Sequence, residues 1–322
     1  MRRRTFLCLP GLRLALGSGN VHAGEKLARV ALITASTGML TVRDFLKALT
    51  GKGWIESRNI DFLYGYGNDD AAQLDKAISD AVARKVDLIV AWGTLAPLAA
   101  KRATSAIPIV MAGAGDAVRS GLVANLFRPG GNITGYSFVP PAMNEKRLQM
   151  IVGVRSGLSR IAVVYNETNP HSAEVSSDLK SIAGHYGAKT EPIPINNPRD
   201  VEGVFRRIEN RGSEALMLVE DPLTNSVLDA VASGAIRSKL PSLGERREFA
   251  VAGGLISYGP DLDDSAETVA TYVDLILRGR KPADLPVQQP TRFNLVVNTK
   301  TARLMDLDLP AELIARADEI LD

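Results

Sequence analysis

The chain has 322 residues, of which 45% are hydrophobic and 23% are charged, values typical of a globular protein with a sizeable core. This length is sufficient for two domains of ordinary size. Its 38 basic and 36 acidic residues give a net charge of only +2, and the basic residues do not cluster with aromatic ones, so we expect no nucleic-acid partner.

The first residues, MRRRTFLCLPGLRLALGSGNVHAGEK, place three arginines before a short apolar run and small residues around position 23. This pattern predicts a secretory signal peptide over residues 1–23, cleaved after Ala23. The arginines fit a twin-arginine signal as well as a general secretory one, and both routes stay open. We therefore expect a periplasmic protein. The only cysteine, Cys8, lies inside the signal, so the mature chain has no thiol for a disulfide or a metal site.

After the signal, short apolar runs alternate with amphipathic segments of helix length, which predicts an α/β fold. Strands are predicted at 29–35, 60–64, 86–92, 107–112 and 133–138, and then at 160–166, 188–195, 215–220, 241–243 and 254–258. Helices are predicted at 41–51, 71–84, 96–103, 172–186, 200–211, 225–238 and 263–278, followed by two short C-terminal helices. Two similar arrays in tandem imply two lobes with open parallel sheets, which face each other across a ligand crevice at the carboxyl ends of their strands.

The turn after the third strand is the first sign of a binding site. Gly93 and Thr94 follow the strand end at Trp92, and a helix begins there with Pro97 near its first turn. Unpaired backbone N–H groups, the threonine hydroxyl and the helix dipole together favour a carboxylate or another small anion. Ordinary helix capping by Thr94 is the alternative.

Several segments, in this order along nearly the whole chain, resemble the ABC transporter substrate-binding proteins of the tryptophan/tyrosine-type family. They are RATSAIPIVMAGAGDAVRSGLVANLFRPGGNITGYSF, NEKRLQMI, IAVVYNETNP, LPSLGE, GGLISYG, KPADLPVQQPTRFNLVVNTKTARLMDLDLP and LIARADEIL. One departure is Asp116-Ala117-Val118, where the family commonly has Asp-Pro-Val.

The resemblance implies the type 1 periplasmic binding protein fold, with two Rossmann-like lobes, parallel central sheets and three hinge strands. We expect residues 27–136 and 259–290 to form the N-terminal lobe, and residues 137–258 and 291–322 to form the C-terminal lobe. The crossings are placed near residues 135–138, 258–260 and 290–295, where glycines at 130, 131, 135 and 259 suit strand ends that turn or flex.

The resemblance also implies the function: the solute-binding component of an ABC importer, a monomer that docks transiently on a permease and its ATPase. A small carboxylate-bearing ligand, with aromatic amino acids among the expected classes, would stabilise the closed lobes. An exported ligand sensor of the same fold and an enzyme acting on a small organic acid are the alternatives. Against the enzyme, the chain lacks a GxGxxG fingerprint, a P-loop, a GxSxG elbow and an HExxH motif, so neither a cofactor nor a metal is expected.

In proteins of this architecture, as the resemblance implies, the first lobe holds an amino acid's carboxylate and an acid of the second lobe meets its ammonium. The predicted first-lobe contacts are Ser36, Thr37, Gly93, Thr94, Leu95, Ala114, Asp116 and the hinge residue Tyr136. The predicted second-lobe contacts are Asn166, Asn169, Asp221, Glu245 and the hinge residue Tyr258.

Each of these predictions has a structural alternative. Asn166 and Asn169 also suit an Asx turn and a helix cap. Asp221 is preferred slightly over Glu245 for the ammonium, because Arg246 is available to neutralise Glu245. The aromatic side chains of Trp92, Tyr64 and Tyr66 offer a second aromatic wall, with core packing as the alternative for the tryptophan. The acidic pair at 69 and 70 is interpreted as the charged start of a helix.

Overall fold

The computed structural model describes residues 27–36, 42–138, 142–261 and 263–322. Within these ranges the strands are β1 (Ala28–Thr34), β2 (Ile60–Tyr66), β3 (Leu88–Trp92), β4 (Ile109–Ala114), β5 (Ile133–Ser137), β6 (Arg160–Asn166), β7 (Lys189–Ile195), β8 (Ala215–Leu218), β9 (Ser242–Gly244), β10 (Ile256–Pro260), β11 (Phe293–Asn298) and β12 (Glu319–Leu321). The predicted signal peptide and Thr37 lie outside the described residues.

The α-helices alternate with these strands. They are α1 (Val42–Gly51), α2 (Ala71–Ala83), α3 (Leu95–Ala103), α4 (Ala142–Gly153), α5 (Pro170–Ile182), α6 (Val201–Asn210), α7 (Pro222–Asn225), α8 (Leu228–Arg237), α9 (Arg247–Val251), α10 (Asp263–Leu277), α11 (Thr299–Leu304) and α12 (Ala311–Ala315). Short 3₁₀ segments occur at Ala183–Tyr186, Pro198–Asp200 and Pro282–Asp284. In the described part of the chain, none of the helices combines the length and apolar character needed to cross a membrane.

The first sheet has the order β2-β1-β3-β4-β5, and all its strands are parallel. Its inner strands β3 and β4 are continuous apolar runs because both of their faces are covered. On β1, Ala31 and Ile33 pack under α2 and α3, whereas Val30 and Leu32 pack under α1 and α10. This is the alternation that an extended strand requires.

The second sheet has the order β12-β11-β10-β9-β8-β6-β7 and is parallel except between β10 and β11. Its faces are covered by α4 and α5 on one side and by α6 and α8 on the other. The chain leaves β10 at its carboxyl end and re-enters β11 at the neighbouring position, so the two strands run in opposite directions, with Tyr258 opposite Leu295. The last strand, β12, is not among the predicted elements.

The chain passes between the two sheets after β5, after β10 and before β11. On its return to the first sheet, α10 packs in the same core as Phe45 of α1. Gln288 then pairs with β5, receiving the N–H of Ser137 at 2.9 Å and donating its own N–H to Gly135 at 2.9 Å. The predicted fold class of two parallel-sheet lobes is confirmed. The domain limits given above stay a proposal.

Local differences from the predicted elements are small. The predicted helix 225–238 is divided into α7 and α8, because Asp221 and Pro222 begin a separate short turn of helix. The fourth strand runs two residues further along the chain, to Ala114, and brings the following glycine loop to the interlobe surface.

Candidate ligand-binding site

The loops at the carboxyl ends of both sheets meet in an interlobe seam, and two glycines allow the closest approach there. A Cβ added at Gly93 would lie 2.9 Å from Cγ of Pro222, and one added at Gly115 would lie 2.1 Å from Cγ of His171. Gly93 also has a φ of +70°, which disfavours a side chain. Both glycines belong to the first lobe and both contacted residues to the second, so the lobes are closed.

A pair of ion pairs spans the same seam. Arg119, in the loop after β4, contacts Glu174 at 2.7 Å and Asp178 at 2.8 Å, both on α5 of the second lobe. The side chains are about one-third exposed. These ion pairs are direct contacts between side chains of the two lobes.

A cavity of about 310 Å³ lies in the seam, a size that suits a small ligand. Its wall is mostly apolar and its polar groups come from both lobes. The first lobe contributes Ala35, Asp69, Asp70, Ala71, Leu74, Asp75, Leu95, Leu98 and Arg102. The second lobe contributes Asn166, Thr168, Pro170, Asn196, Asp221, Pro222 and Leu223.

Asp221 is the fixed anion of this cavity. Its side chain accepts hydrogen bonds from Nδ2 of Asn166 at 2.9 Å, from Nδ2 of Asn169 at 2.6 Å and from the backbone N–H of Leu223 at 2.7 Å. Burial raises the pKa of this carboxyl, and the two amide hydrogen bonds oppose that rise. The residue is only 2% exposed, so these donors hold the carboxylate in one orientation.

Asn169 is a helix cap, which is the structural alternative considered from sequence, and it also holds Asp221. Its Oδ1 accepts the N–H of His171 and caps α5, while its Nδ2 binds Asp221. Pro170 follows at the first position of that helix, as expected for a residue without an N–H. The helix cap thereby orients the anion of the cavity.

Asp69 lies across the cavity on the first lobe. It follows β2 in a left-handed turn, where Asn68 and Asp69 have φ values of 52° and 58°. The side chain is half-buried, and it has no hydrogen-bond or ion-pair partner among the residues that the structure describes. Burial, with a contribution from the negative charge of Asp221, raises its pKa to about 6.

A second, much smaller cavity of about 30 Å³ lies nearer the hinge, with room for about one water molecule. It is lined by Phe138, Asn144, Arg147, His171, Val175, Glu220, Glu245, Arg246 and Pro260. Burial raises the pKa of Glu220 to about 7 and lowers the pKa of His171. The buried Nδ1 of His171 has no hydrogen-bond partner within the part of the chain that the structure describes.

In this cavity Glu245 pairs with Arg147 at 2.9 Å. The expectation that Arg246 neutralises Glu245 is therefore wrong. Arg246 instead contacts Glu248 at 3.0 Å and Glu220 at 3.8 Å. Helix α4 places Arg147 beside the end of β9, a proximity that sequence spacing does not reveal. Because Glu245 has this internal cation, it is less suited to a ligand ammonium than Asp221.

The predicted hydroxyls of Thr94 and Ser36 lie outside both cavities. The side-chain oxygen of Thr94 accepts the N–H of Gly115 at 2.9 Å and does not cap α3. It thereby joins the loops after β3 and β4. Ser36 is buried, and its N–H lies 3.4 Å from Oγ1 of Thr34. A ligand contact from either hydroxyl stays a prediction.

The loop after β4 is fixed by its own hydrogen bonds. Asp116 accepts the N–H groups of Val118 and Arg119, and the carbonyl of Ala114 accepts the N–H of Phe138 at 2.6 Å. Ala117 donates its N–H to Oγ of Ser137 at 3.1 Å. A proline, the residue common at this position in the family that the sequence resembles, has no N–H to donate.

The aromatic residues pack away from the larger cavity. Tyr136 and Tyr258 are 3% and 7% exposed, and each belongs to the core of its own lobe. Tyr64 and Tyr66 are exposed on the edge strand β2 itself. Trp92 packs edge-on against Phe45 at a ring distance of 5.6 Å.

Only some of the predicted ligand contacts line one of the two cavities. Leu95, Asn166 and Asp221 line the larger cavity, and Glu245 lines the smaller one. Gly93 and Asn169 lie one contact away from the cavity, through Pro222 and Asp221 respectively. Sequence reasoning did not assign Asp69 or Arg102 to the site. Only the position of Asp69 just after a strand end pointed to the crevice.

Two parallel-sheet lobes, closed on a cavity at their strand ends, define the class of bilobal solute-binding proteins. A family model described as "ABC transporter substrate binding protein" matches residues 27–321, and the chain belongs to this family. The family is extracytoplasmic and binds solutes without chemical turnover, so the prediction that the protein is not an enzyme is confirmed.

Three relatives show how far the similarity extends. The chain is 26% identical over 265 residues to a tyrosine-binding protein of Clostridioides difficile (strain R20291), covering 82% of this chain and 76% of the relative. A conserved domain protein from Vibrio cholerae is 27% identical, with a TM-score of 0.85 over 92% of this chain and all of the other. An ABC domain in complex with L-Trp, from Streptococcus pneumonia, has a TM-score of 0.83 at 21% identity over the same shares, a likeness of fold.

Proposed function

We propose that the protein is the solute-binding component of an ABC importer and that its ligand is an amino acid with an aromatic or similarly apolar side chain. The observation that carries this proposal is the buried, amide-held carboxylate of Asp221 at the edge of a leucine-lined cavity. A fixed anion beside an apolar wall is complementary to an ammonium group next to an apolar side chain.

Each part of the ligand has a partner in the cavity. The ammonium binds Asp221, and the side chain packs against leucines such as Leu95 and Leu98. Arg102 is the one cationic residue among the described residues of the wall, and we assign the ligand carboxylate to it. This assignment replaces Thr94, whose hydroxyl already accepts the N–H of Gly115.

The relative named as a tyrosine-binding protein supports this ligand class. The cavity volume is also consistent with an amino acid of that size. Because the ligand touches both lobes, it stabilises the closed form by its greater affinity for that form. The closed protein then docks on the permease, whose ATPase supplies the energy for import.

We place the protein in the periplasm as a monomer, exported through the general secretory or the twin-arginine route, with membrane contact only through its permease. An exported sensor of the same fold is the second candidate. Reconstituted permease and ATPase distinguish the two, because the ligand-loaded protein stimulates ATP hydrolysis if it is a transport component and leaves the rate unchanged if it is a sensor.

A ligand screen tests the proposal. A compound that binds only the folded chain raises its melting temperature, and we expect L-tyrosine, L-tryptophan or a related amino acid to do so. Calorimetry of the Asp221→Asn variant should then show a loss of about 2 kcal/mol, roughly thirty-fold in affinity, for the missing charged hydrogen bond.

Asp229→Asn is the matched control, because Asp229 is exposed on α8 of the same lobe and its loss removes the same charge. Its affinity should equal that of the wild type. Failure of every amino acid to raise the melting temperature contradicts the proposal. So does unchanged affinity in a folded Asp221→Asn protein.

A further inference from the structure

We infer that Asp69 is a second carboxylate for the same ligand ammonium, so that each lobe contributes one acid and the lobes close on a cation held between them. The inference rests on the proposed function and narrows the ligand class to compounds with a protonated amine. Its further consequence is that ligand binding releases a proton from the protein.

The geometry places the two acids on opposite sides of one cavity. Asp69 comes from the loop after β2 of the first lobe, and Asp221 from the loop after β8 of the second. Closing the lobes brings these like charges towards each other, which costs free energy unless a cation lies between them. A ligand with an ammonium group removes this cost in the closed form only. It therefore binds the closed form more tightly than the open form, and only such a difference in affinity shifts the equilibrium towards closure.

The other acids on the first-lobe side of the wall have partners within the protein. Asp70 caps α2 by accepting the N–H groups of Ala72 and Gln73. Asp75 pairs with Arg102 at 3.2 Å, so Asp69 is the one acid on this side of the wall whose side chain has no partner among the described residues. Asp221 is held by amides, which orient its charge and do not neutralise it.

The backbone holds Asp69 firmly in this position. The N–H of Asp69 donates to the carbonyl of Ala35 at 2.8 Å, and the N–H of Gly67 donates to Thr34 at 2.8 Å. A Cβ at Gly67 would lie 2.7 Å from that same Ala35 carbonyl, so the turn packs tightly on the end of β1. Asparagine and aspartate tolerate the left-handed conformation that the turn requires.

The proton balance follows from the charges. Before a ligand binds, burial and the negative charge of Asp221 raise the pKa of the Asp69 carboxyl to about 6. An ammonium beside it favours the carboxylate and lowers that pKa. Binding near pH 6 therefore transfers the proton of the carboxylic acid to the buffer. Below this pH the affinity decreases, because the ligand must first displace the proton, and well above it no proton is released.

Calorimetric titration with L-tyrosine in two buffers of different ionisation enthalpy measures this proton. For the wild type at pH 6 we expect release of about half a proton or more per ligand, and at pH 8 almost none. In Asp69→Asn the release at pH 6 should decrease by about that amount, and the affinity at pH 8 should fall at least tenfold. Asp221 is unchanged in this variant, so the difference between the two proteins reports Asp69.

Asp80→Asn is the control, because it removes the same charge from the exposed side of α2, away from the cavity. Its proton release should match that of the wild type. Two analogues of L-tyrosine complete the test. Tyramine keeps the ammonium and lacks the carboxylate, whereas 3-(4-hydroxyphenyl)propionate keeps the carboxylate and lacks the ammonium. We expect the amine to bind more tightly than the acid and to release the proton.

The outcomes separate the two proposals. L-Tyrosine binding with equal affinity and equal proton release in the wild type and in Asp69→Asn overturns the role of Asp69 and leaves the proposed function intact. Tighter binding of the propionate than of tyramine also overturns it. If L-tyrosine, L-tryptophan and every related amino acid fail to bind the wild type, the proposed function is contradicted, and this inference with it.

Discussion

The two edges of the interlobe seam have opposite electrostatic character. At one edge, Arg119 joins the lobes through Glu174 and Asp178 without any ligand. At the other edge, Asp69 and Asp221 carry like charges on facing lobes. The protein's own residues thus favour closure at the first edge and oppose it at the second. In the proposal above, a ligand ammonium offsets the repulsion at the second edge.

This contrast gives closure a simple energetic basis. Ion pairs as exposed as those of Arg119 contribute about 0.5–1 kcal/mol, which is too little to keep the lobes permanently closed. A ligand cation that pairs with Asp69 and Asp221 adds to this weak attraction. It shifts the equilibrium between open and closed lobes by the difference in its affinity for the two forms. Altering each edge separately therefore tests the comparison.

The largest effect is expected from Gly115→Ala, which blocks the approach of the lobes between the two edges. The new Cβ would overlap the ring of His171 in the closed form. The backbone of Gly115 does not have a positive φ, so the first lobe alone accepts alanine. Overpacking of this kind costs about 3 kcal/mol, roughly a hundred-fold in ligand affinity by calorimetry.

A second substitution distinguishes this steric effect from a general loss of folding. His171→Ala removes the ring that the new methyl group meets, so the double variant should regain much of the lost affinity. X-ray scattering should show a larger radius of gyration for Gly115→Ala with ligand than for the double variant. Wild-type affinity in Gly115→Ala, or no recovery in the double variant, contradicts the closed contact.

An intermediate effect is expected from Thr94→Val, which keeps the side-chain shape and removes the acceptor for Gly115. The buried N–H then lacks a partner, at a cost of about 1–2 kcal/mol in the free energy of unfolding. Urea denaturation of the ligand-free protein measures this loss. Reduced ligand affinity at unchanged stability would instead support the role predicted from sequence, in which the hydroxyl contacts the ligand.

The smallest effect is expected from Arg119→Gln, which removes the attractive edge. Affinity should fall by about 0.5–1 kcal/mol at low salt, and the difference from the wild type should shrink as salt screens the wild-type pairs. Lys239→Gln is the matched control, because Lys239 pairs with Asp306 within the second lobe. If the affinity of Arg119→Gln depends on salt in the same way as that of the wild type, the ion pairs of Arg119 do not contribute to closure.

Sequence reasoning predicted the fold and one wall of the candidate cavity because both depend on local patterns. Asn166, Asn169 and Asp221 follow strand ends in turn sequences, and parallel strands bring such ends together. The antiparallel pairing of β11 and the strand β12 were not predicted, because they depend on how the chain returns between the sheets.

Contacts between distant segments explain the remaining differences. Arg147 pairs with Glu245 across 98 positions of the chain, and no spacing rule predicts that choice over the adjacent Arg246. Asp69 was interpreted as the start of a helix, yet the neighbouring Asp70 caps that helix and leaves Asp69 turned to the cavity. Thr94 had the right position for a cap, but its hydroxyl binds the adjacent loop instead.

The most direct test of the account is a crystal structure of the protein with bound L-tyrosine. The account predicts ligand density in the larger cavity, with the ammonium at hydrogen-bond distance, about 2.7–3.2 Å, from the carboxylates of Asp221 and Asp69. Density in the smaller cavity beside Glu245 and Arg147, or an ammonium bound away from both aspartates, would contradict it.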